Sequence, residues 1–531
     1  MSAQNFRPKS LFEYILTYHR GLFTTTFLLP ISVIYKIWDR SRNYIKQWLQ
    51  SAPKQHTERI NNVAIQVKKW IAQGCPTPLT TSRSGWSAMS ELVPAYKKTH
   101  QPINMPMSDI IWVDFNRRII RVEPFVNMGQ ITEFLNPQGW TLPVVPELDE
   151  LTVGGLINGF GVESSSHKFG LFQFNVDAME IITADGELRR CSTTENSELF
   201  YTIPWSHGTL GFLVAAELRI IPCKPYVELS YKPLHGLDNI VTEFEKVSRS
   251  EVQFVEFLLF GPEKGVLMTG DFAQKPDKGG RKNSIGNFWK PWFYKHVESY
   301  LQADQVGKEF IPLRHYYHRH TRSLFWEMEE IVPFGNHPLF RYTLGWAVPP
   351  PIKLLKYFET ETTKNLREQY HVVQDMLIPI SHLKKSLEYF EEHYMLYPLW
   401  LCPMSIFAYP GSVGLVNPFK SQDGNIDPLY VDIGAYGTPK KQGFYAPKAL
   451  QDLEKFVLDH KGYQAMYART MLSREDFRKM FNHEMYLKLR NQIPNTSKAF
   501  GEIYDKVGGK NRLSPADYKK FKKQTINNLV N

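Results

Sequence analysis

TVGGLINGFGVES, residues 152–164, runs straight into SSHKFG, which ends at Gly170. Four glycines (Gly154, Gly155, Gly159 and Gly161) stand among small and apolar residues, with hydroxyls at both ends. Glycine lets a backbone approach a ligand closely and take up positive φ. Successive exposed N–H groups in such a turn form a nest for phosphate oxygens. Read alone, the segment serves equally as tight turns between strands, so its neighbours have to decide.

Upstream, residues 81–87 read TSRSGWS, a short polar loop. Residues 110–115 and 119–122 read as a strand pair around Asn116-Arg117, and residues 130–135 as a short helix before Gly139. Downstream, residues 175–183 and the turn ADGE (184–187) read as strand and turn. NSELF (196–200) then precedes GTLGFL (208–213), which leads into a strand at 215–221.

This order resembles the FAD-binding half of the vanillyl-alcohol-oxidase-like flavoproteins, the PCMH-type FAD-binding fold. Longer strings are similar to the Delta(24)-sterol reductase (DIMINUTO/seladin) family: RVEPFVNMGQ (121–130), GWTLPVVPELDELTVGGLI (139–157), ESSSHKFGLFQ (163–173), TLGFLVAAELRIIP (209–222), NSIGNFWKPWFYKHVESYL (283–301), IPLRHYYHRHTRS (311–323), HVVQDM (371–376) and DIGAYG (432–437). The resemblance covers roughly residues 22–506. It implies an α+β chain: a two-subdomain PCMH-type FAD-binding fold, a mixed α/β cap over the substrate, and an N-terminal membrane segment. It also implies FAD, NADPH as electron donor, and reduction of the 24,25 double bond of a sterol side chain at the endoplasmic reticulum membrane, single-pass with the catalytic body cytosolic. Cofactor contacts are then expected from Thr152, Val153, Gly154, Gly155, Leu156, Ile157, Asn158, Gly159, Phe160, Gly161, Val162, Glu163 and Ser164. Two other readings stay open: another flavin-dependent oxidase or dehydrogenase of the same superfamily, and a sterol-binding flavoprotein without turnover.

FAD fits the residues better than a nicotinamide in a Rossmann unit, because the glycine segment lacks the βαβ setting and the acidic residue about 20 positions on. In some relatives the upstream loop carries a histidine bonded to the flavin. Here Trp86 stands in SGWS, so the flavin is expected to be noncovalent. His167 lies beyond the glycines and reads as a hydrogen-bonding residue rather than a catalytic one.

At 531 residues the chain exceeds one ordinary core. Its expected division is a tail at 1–20, a membrane anchor at 21–38, an FAD-binding domain at 52–225, a cap at 226–445, a segment at 446–504 packing back on the FAD domain, and a polar basic tail at 505–531. A helix is expected over 52–73, paired strands at 254–260 and 266–268, a strand at 429–433, and helices at 448–460 and 473–489. Ser514 and Pro515 suggest a helix start in the tail. A net charge of +10, spread along the chain, suits a nucleotide cofactor or an anionic membrane surface rather than nucleic acid. Cys75, Cys191, Cys223 and Cys402 stand singly and read as free thiols. Residues 22–35 are apolar and uncharged, yet shorter than the roughly 20 residues of an ordinary span and interrupted by three threonines and Pro30. With no small-residue cleavage site after them, they read as a membrane anchor rather than a leader.

An isolated alkene has no carbonyl to draw electrons, so a proton must arrive before or with the hydride, in a dry apolar pocket. Glu256, Asp271, Asp432 and Tyr436 are the candidate donors, unranked by sequence, and the catalytic residue stays unassigned. Residues 314–322, RHYYHRHTR, read as a hydrogen-bonded segment of the cap; a basic surface for NADPH phosphates or the flavin is the alternative. The histidines lack a companion carboxylate or cysteine at ligand spacing, so no metal is expected.

Overall fold

The computed structural model describes residues 8, 10–49, 55–88, 93–276, 280–421, 423–508 and 512–513. Two antiparallel sheets organise them. The smaller has five strands in the spatial order Ile110–Asp114, Ile119–Val122, Phe212–Arg219, Val176–Ile182, Leu188–Ser192. The hairpin expected around Asn116 forms its edge. The helix His56–Ala72 packs beside it through Val63, Val67 and Trp70, all fully buried at the expected helical spacing. The helix Met128–Leu135 begins at a capping box: Asn127 accepts from the Gln130 N–H, and the Gln130 side chain accepts from the Asn127 N–H.

The larger sheet has eight strands in the order Gly307–Pro312, Tyr226–His235, Lys264–Ala273, Phe254–Gly261, Leu399–Ser405, Leu429–Gly437, Val372–Pro379, Tyr463–Gln464. Its central strands Leu399–Ser405 and Leu429–Gly437 are buried along their whole length, so both faces are covered. Because strand side chains alternate, Phe257 meets Phe244 of the helix Leu237–Ser248 on one face, while Phe254 meets Tyr316 and Tyr317 on the other. Glu256 lies on this second face.

Two helical expectations change in detail. The helix expected over 473–489 is two, Arg474–Met480 and Glu484–Gln492. Phe481 is extended at the break, the Asn482 N–H bonds to the Leu415 carbonyl, and the Asn482 side chain accepts from the Glu484 N–H. The segment 446–504 also divides. The helix Ala446–Asp459 and the strand Tyr463–Gln464 belong to the larger sheet. The helix Glu484–Gln492 turns to the first half, where Tyr486 bonds Thr209 and Arg490 donates to the Thr209 carbonyl. The basic tail beyond 513, with its expected helix start at Ser514, lies outside the described residues, as do residues 277–279 of the expected cap.

Among the described residues one helix, Arg20–Arg42, is long and apolar enough to cross a membrane. The features that shortened it in sequence are absorbed locally. Thr25 and Thr26 donate back to the Gly21 and Leu22 carbonyls, and Ser32 to Leu28. A π-helical turn at Thr24–Leu28 precedes Pro30, which sits at the second position of Leu29–Leu49; local π turns re-satisfy backbone groups freed around proline. The helix lies along the body. Lys36 donates to the Ala347 and Pro349 carbonyls, and the Phe23 ring sits 5.2 Å from that of Phe358.

Candidate functional site

Two cavities meet in the middle of the molecule. The smaller, about 360 Å³, runs between the strand Leu79–Thr81 with its following loop, the glycine segment, residues 207–213, and Phe500 with Lys506. The glycine segment is not an open loop. Val153–Asn158 is a short helix entered from Thr152, and the Gly154 N–H is already bound to the Pro124 carbonyl. Gly154 is needed for packing: a Cβ there would stand 2.9 Å from the Pro124 Cβ and 3.0 Å from its carbonyl oxygen. At Gly155 a Cβ would meet only the Thr152 hydroxyl, at 3.1 Å, so that position keeps the cleft open.

Arg83 ties the two glycine-bearing loops together, donating to Ser87 O at 3.1 Å and to Thr152 Oγ1 at 3.4 Å. Three cations, Arg83, Lys97 and Lys506, line this cleft against one carboxylate, Glu150. Burial, then Lys506 and Arg83, pushes the Lys97 ammonium down to about 7. Burial, then Arg490, takes Lys506 to about 8. An anion in the cleft relieves this crowding, so the residues present suit a dinucleotide pyrophosphate.

The larger cavity, about 710 Å³, shares Leu151, Leu156, Phe160 and Tyr467 with the first and extends from there under the larger sheet to the N-terminal helix. Its wall next to the junction carries aromatic rings: Phe325 lies 5.1 Å from Trp400 and 5.0 Å from Tyr436. Asp375 faces the same space, and register explains its partner. Asp375 pairs with Gly434 on the neighbouring strand, leaving room for the Tyr436 hydroxyl to donate to Asp375 Oδ1 at 2.5 Å. Burial raises the Asp375 carboxyl to about 6, although the Tyr436 and Tyr467 hydroxyls pull the other way. Glu147, also in the wall, is pushed up to about 8 by burial and by Glu163. Asp432, two residues along the strand from Gly434, is fully buried with neither oxygen hydrogen-bonded, and burial with Asp375 and Glu147 holds it far above the carboxylate range. Glu147 and Asp432 therefore hold protons at neutral pH, beside an Asp375 that gains its proton on mild acidification.

Of residues 152–164, Thr152, Gly154, Gly155, Leu156, Asn158, Gly159 and Phe160 line the smaller cleft, and Leu156, Phe160, Gly161 and Val162 line the larger. Val153 and Ile157 are core. Glu163 and Ser164 turn away: Ser164 bonds the Tyr316 hydroxyl, and Glu163 pairs with Arg319 at 2.7 Å. Residues 314–322 line neither cavity, and their polar side chains other than His315 bind protein groups. Arg319 also pairs with Glu256 at 2.8 Å, His318 bonds Thr132 and the Glu147 carbonyl, and Arg322 donates to the carbonyls of Ile285, Asn287, Phe288 and Lys290. Burial pushes Glu256 up, but Arg319 and His320 hold it at about 2, which makes it a fixed anion rather than a proton donor. Asp271 is exposed and accepts from the Gln253 N–H. His167 bonds the Val252 carbonyl at 2.8 Å. No group of metal-ligating side chains occurs among the described residues.

Sequence reading named Asp432 and Tyr436 but passed over Asp375, Glu147 and Tyr467. The alternation of Val373 and Asp375 on one strand, continuing His371 just before it, was the available signal.

Residues 80–192 match the family model described as "FAD binding domain". The chain is 50% identical to the human Delta(24)-sterol reductase over 496 residues, covering 93% of this chain and 94% of the human protein. It is 39% identical to the Caenorhabditis elegans Delta(24)-sterol reductase homolog, covering 93% and 95%. It is 36% identical to the Arabidopsis thaliana Delta(24)-sterol reductase, covering 92% and 91%.

Proposed function

The chain belongs to the Delta(24)-sterol reductase family, and from that premise we propose that it uses noncovalent FAD and NADPH to reduce the 24,25 double bond of a sterol side chain. The observation that carries this reading is the junction at Leu151, Leu156, Phe160 and Tyr467, where a cation-lined cleft opens into a large, mostly apolar cavity. FAD would lie along Thr152–Phe160, with its diphosphate toward Arg83, Lys97 and Lys506 and its ring at the junction. Bound there, it supplies the hydride carrier that no side chain can provide. Trp86 offers no histidine for a covalent link.

The side chains then have three tasks. The apolar wall holds the alkene away from water. The faces of Phe325, Trp400 and Tyr436 stabilise positive charge developing on the more substituted carbon. Asp375, with the Tyr436 and Tyr467 hydroxyls against it, delivers the proton to the other carbon and is resupplied from the acids behind it. Incubation of purified protein with NADPH and a 24,25-unsaturated sterol should yield the saturated side chain by mass. With deuterated NADPH, one deuterium should sit on the more substituted carbon. Absence of turnover with any such sterol would overturn the reading.

A proton donor with a raised pKa is loaded below that value and empty above it. The rate should therefore fall on the alkaline side, with an apparent pKa near 6. Asp375→Asn should slow turnover about a hundredfold and remove that limb while flavin stays bound. A variant with an unchanged rate and pH profile would take Asp375 out of the reaction.

The exposed face of the Arg20–Arg42 helix, including Leu22, Phe27, Ile34 and Ile37, supports anchorage in a membrane. We place the protein at the endoplasmic reticulum membrane, with its catalytic body cytosolic.

A further inference from the structure

The N-terminal helices have two apolar stripes. One, with Leu11, Leu22, Phe27, Ile31 and Ile34, is exposed. The other, Leu16, Thr17, Arg20, Phe23, Thr24 and Leu28, recurs at three- and four-residue spacing and forms a wall of the large cavity. Leu16, Phe23 and Leu28 are buried there against Leu354, Leu355 and Phe358. Arg20 is the charged member of the inner stripe, and it faces the carboxylates of Glu327, Glu330 and Glu359.

This end of the cavity is polar in an ordered way. His371 binds Glu327 through Nε2 at 3.0 Å and Glu330 through Nδ1 at 3.3 Å, and Glu330 also accepts from the Thr438 N–H. The strand that starts after His371 measures the distance to the other end. His371, Val373 and Asp375 all face the cavity, and four residues of extended chain span about 13 Å. Asp375 and Tyr467 stand at the junction with the cation-lined cleft; His371 and Arg20 stand away from it. Leu324, Ile331, Ile352, Leu366 and Val373 supply apolar wall to the same cavity. Such a cavity fits a ligand with a rigid apolar body, one alkene at one end and one polar group at the other.

We propose that Arg20, with Glu327 and His371, binds the 3-hydroxyl of the sterol, so that the N-terminal helix is part of the substrate site as well as an anchor. The proposal rests on the sterol reading above. Arg20 donates to the hydroxyl oxygen, and the carboxylate of Glu327 accepts its proton. The hydroxyl end is seated beside the lipid-facing helix, with the side chain deepest, at the flavin.

The test compares a 24,25-unsaturated sterol with its 3-deoxy analogue in full-length protein. The wild type should show a KM about tenfold higher for the 3-deoxy compound, the effect of one charge-assisted hydrogen bond. Arg20→Leu should raise KM for the hydroxylated sterol by about the same factor, leave kcat and bound flavin nearly unchanged, and lose the discrimination between the two compounds. Glu327→Gln should weaken the discrimination through the acceptor side, which covers the case in which Arg20→Leu fails to accumulate, and Arg20→Lys should restore part of it. Wild-type discrimination retained in either Arg20→Leu or Glu327→Gln would overturn the hydroxyl site and leave the sterol reading standing. A wild type that reduces neither compound would overturn both.

Discussion

Arg319→Met should leave little folded protein, because it removes the cation shared by two carboxylates in the interior. The guanidinium is fully buried between Glu163, which ends the glycine segment, and Glu256, on a central strand of the larger sheet. His320 and the indole N–H of Trp400 give Glu256 further contacts, but neither carries a permanent charge. Breaking a buried ion pair by removing one partner costs about 3–5 kcal/mol. Whole-protein stabilities are about 5–15 kcal/mol, so the loss takes much of the margin. Thermal unfolding and yield of soluble chain should both fall sharply. Adding Glu163→Gln and Glu256→Gln to Arg319→Met should recover part of the loss, since it discharges the stranded carboxylates. An Arg319→Met protein that melts with the wild type would show that the three charges are not coupled in this way.

The second large effect is at Gly155. Its missing side chain faces the cleft rather than the core, since a Cβ would touch only Thr152 Oγ1. Gly155→Val should therefore fold, keep its unfolding transition, and emerge without flavin absorbance, because the two methyl groups occupy the space proposed for the cofactor. Gly154 provides the contrast. A Cβ there runs into Pro124, including its backbone, so Gly154→Val should lose stability together with flavin. Full flavin content in Gly155→Val would remove the cofactor from this cleft.

Much of the frame could be read from periodicity. Val63, Val67 and Trp70 marked a helix, and the alternating runs around Asn116 marked a hairpin, because local pattern alone decides which face is buried. The glycine segment was legible as a close-approach element but not as a helix. Its first turn is fixed by the Pro124 and Val126 carbonyls, which lie some 30 residues earlier in sequence. The break at Phe481 was equally hidden, since the Leu415 carbonyl that ends the helical run is distant in the chain. The candidate site followed the same rule. Tyr436 and Asp432 could be named from their residue types, but the importance of Asp375 depends on strand register, which sets it opposite Gly434 and under the Tyr436 hydroxyl. Residues 314–322 drew attention through charge density, yet their arginines are spent on protein groups: Arg314 on Asp149, Arg319 on Glu163 and Glu256, and Arg322 on carbonyls of residues 285–290.

The partners of the N-terminal helix come late in the chain. Lys36 is tied to a carbonyl 313 residues further on, and the rest of the inner stripe meets residues 324–371. At ribosomal rates of about 5–20 residues per second, Leu16, Phe23 and Leu28 emerge roughly 15–60 s before their counterparts exist. During that interval both stripes are bare, and the helix needs an apolar host on every side. A bilayer provides one. When the second half of the chain arrives, it covers one side of the helix and closes the cavity in the same step.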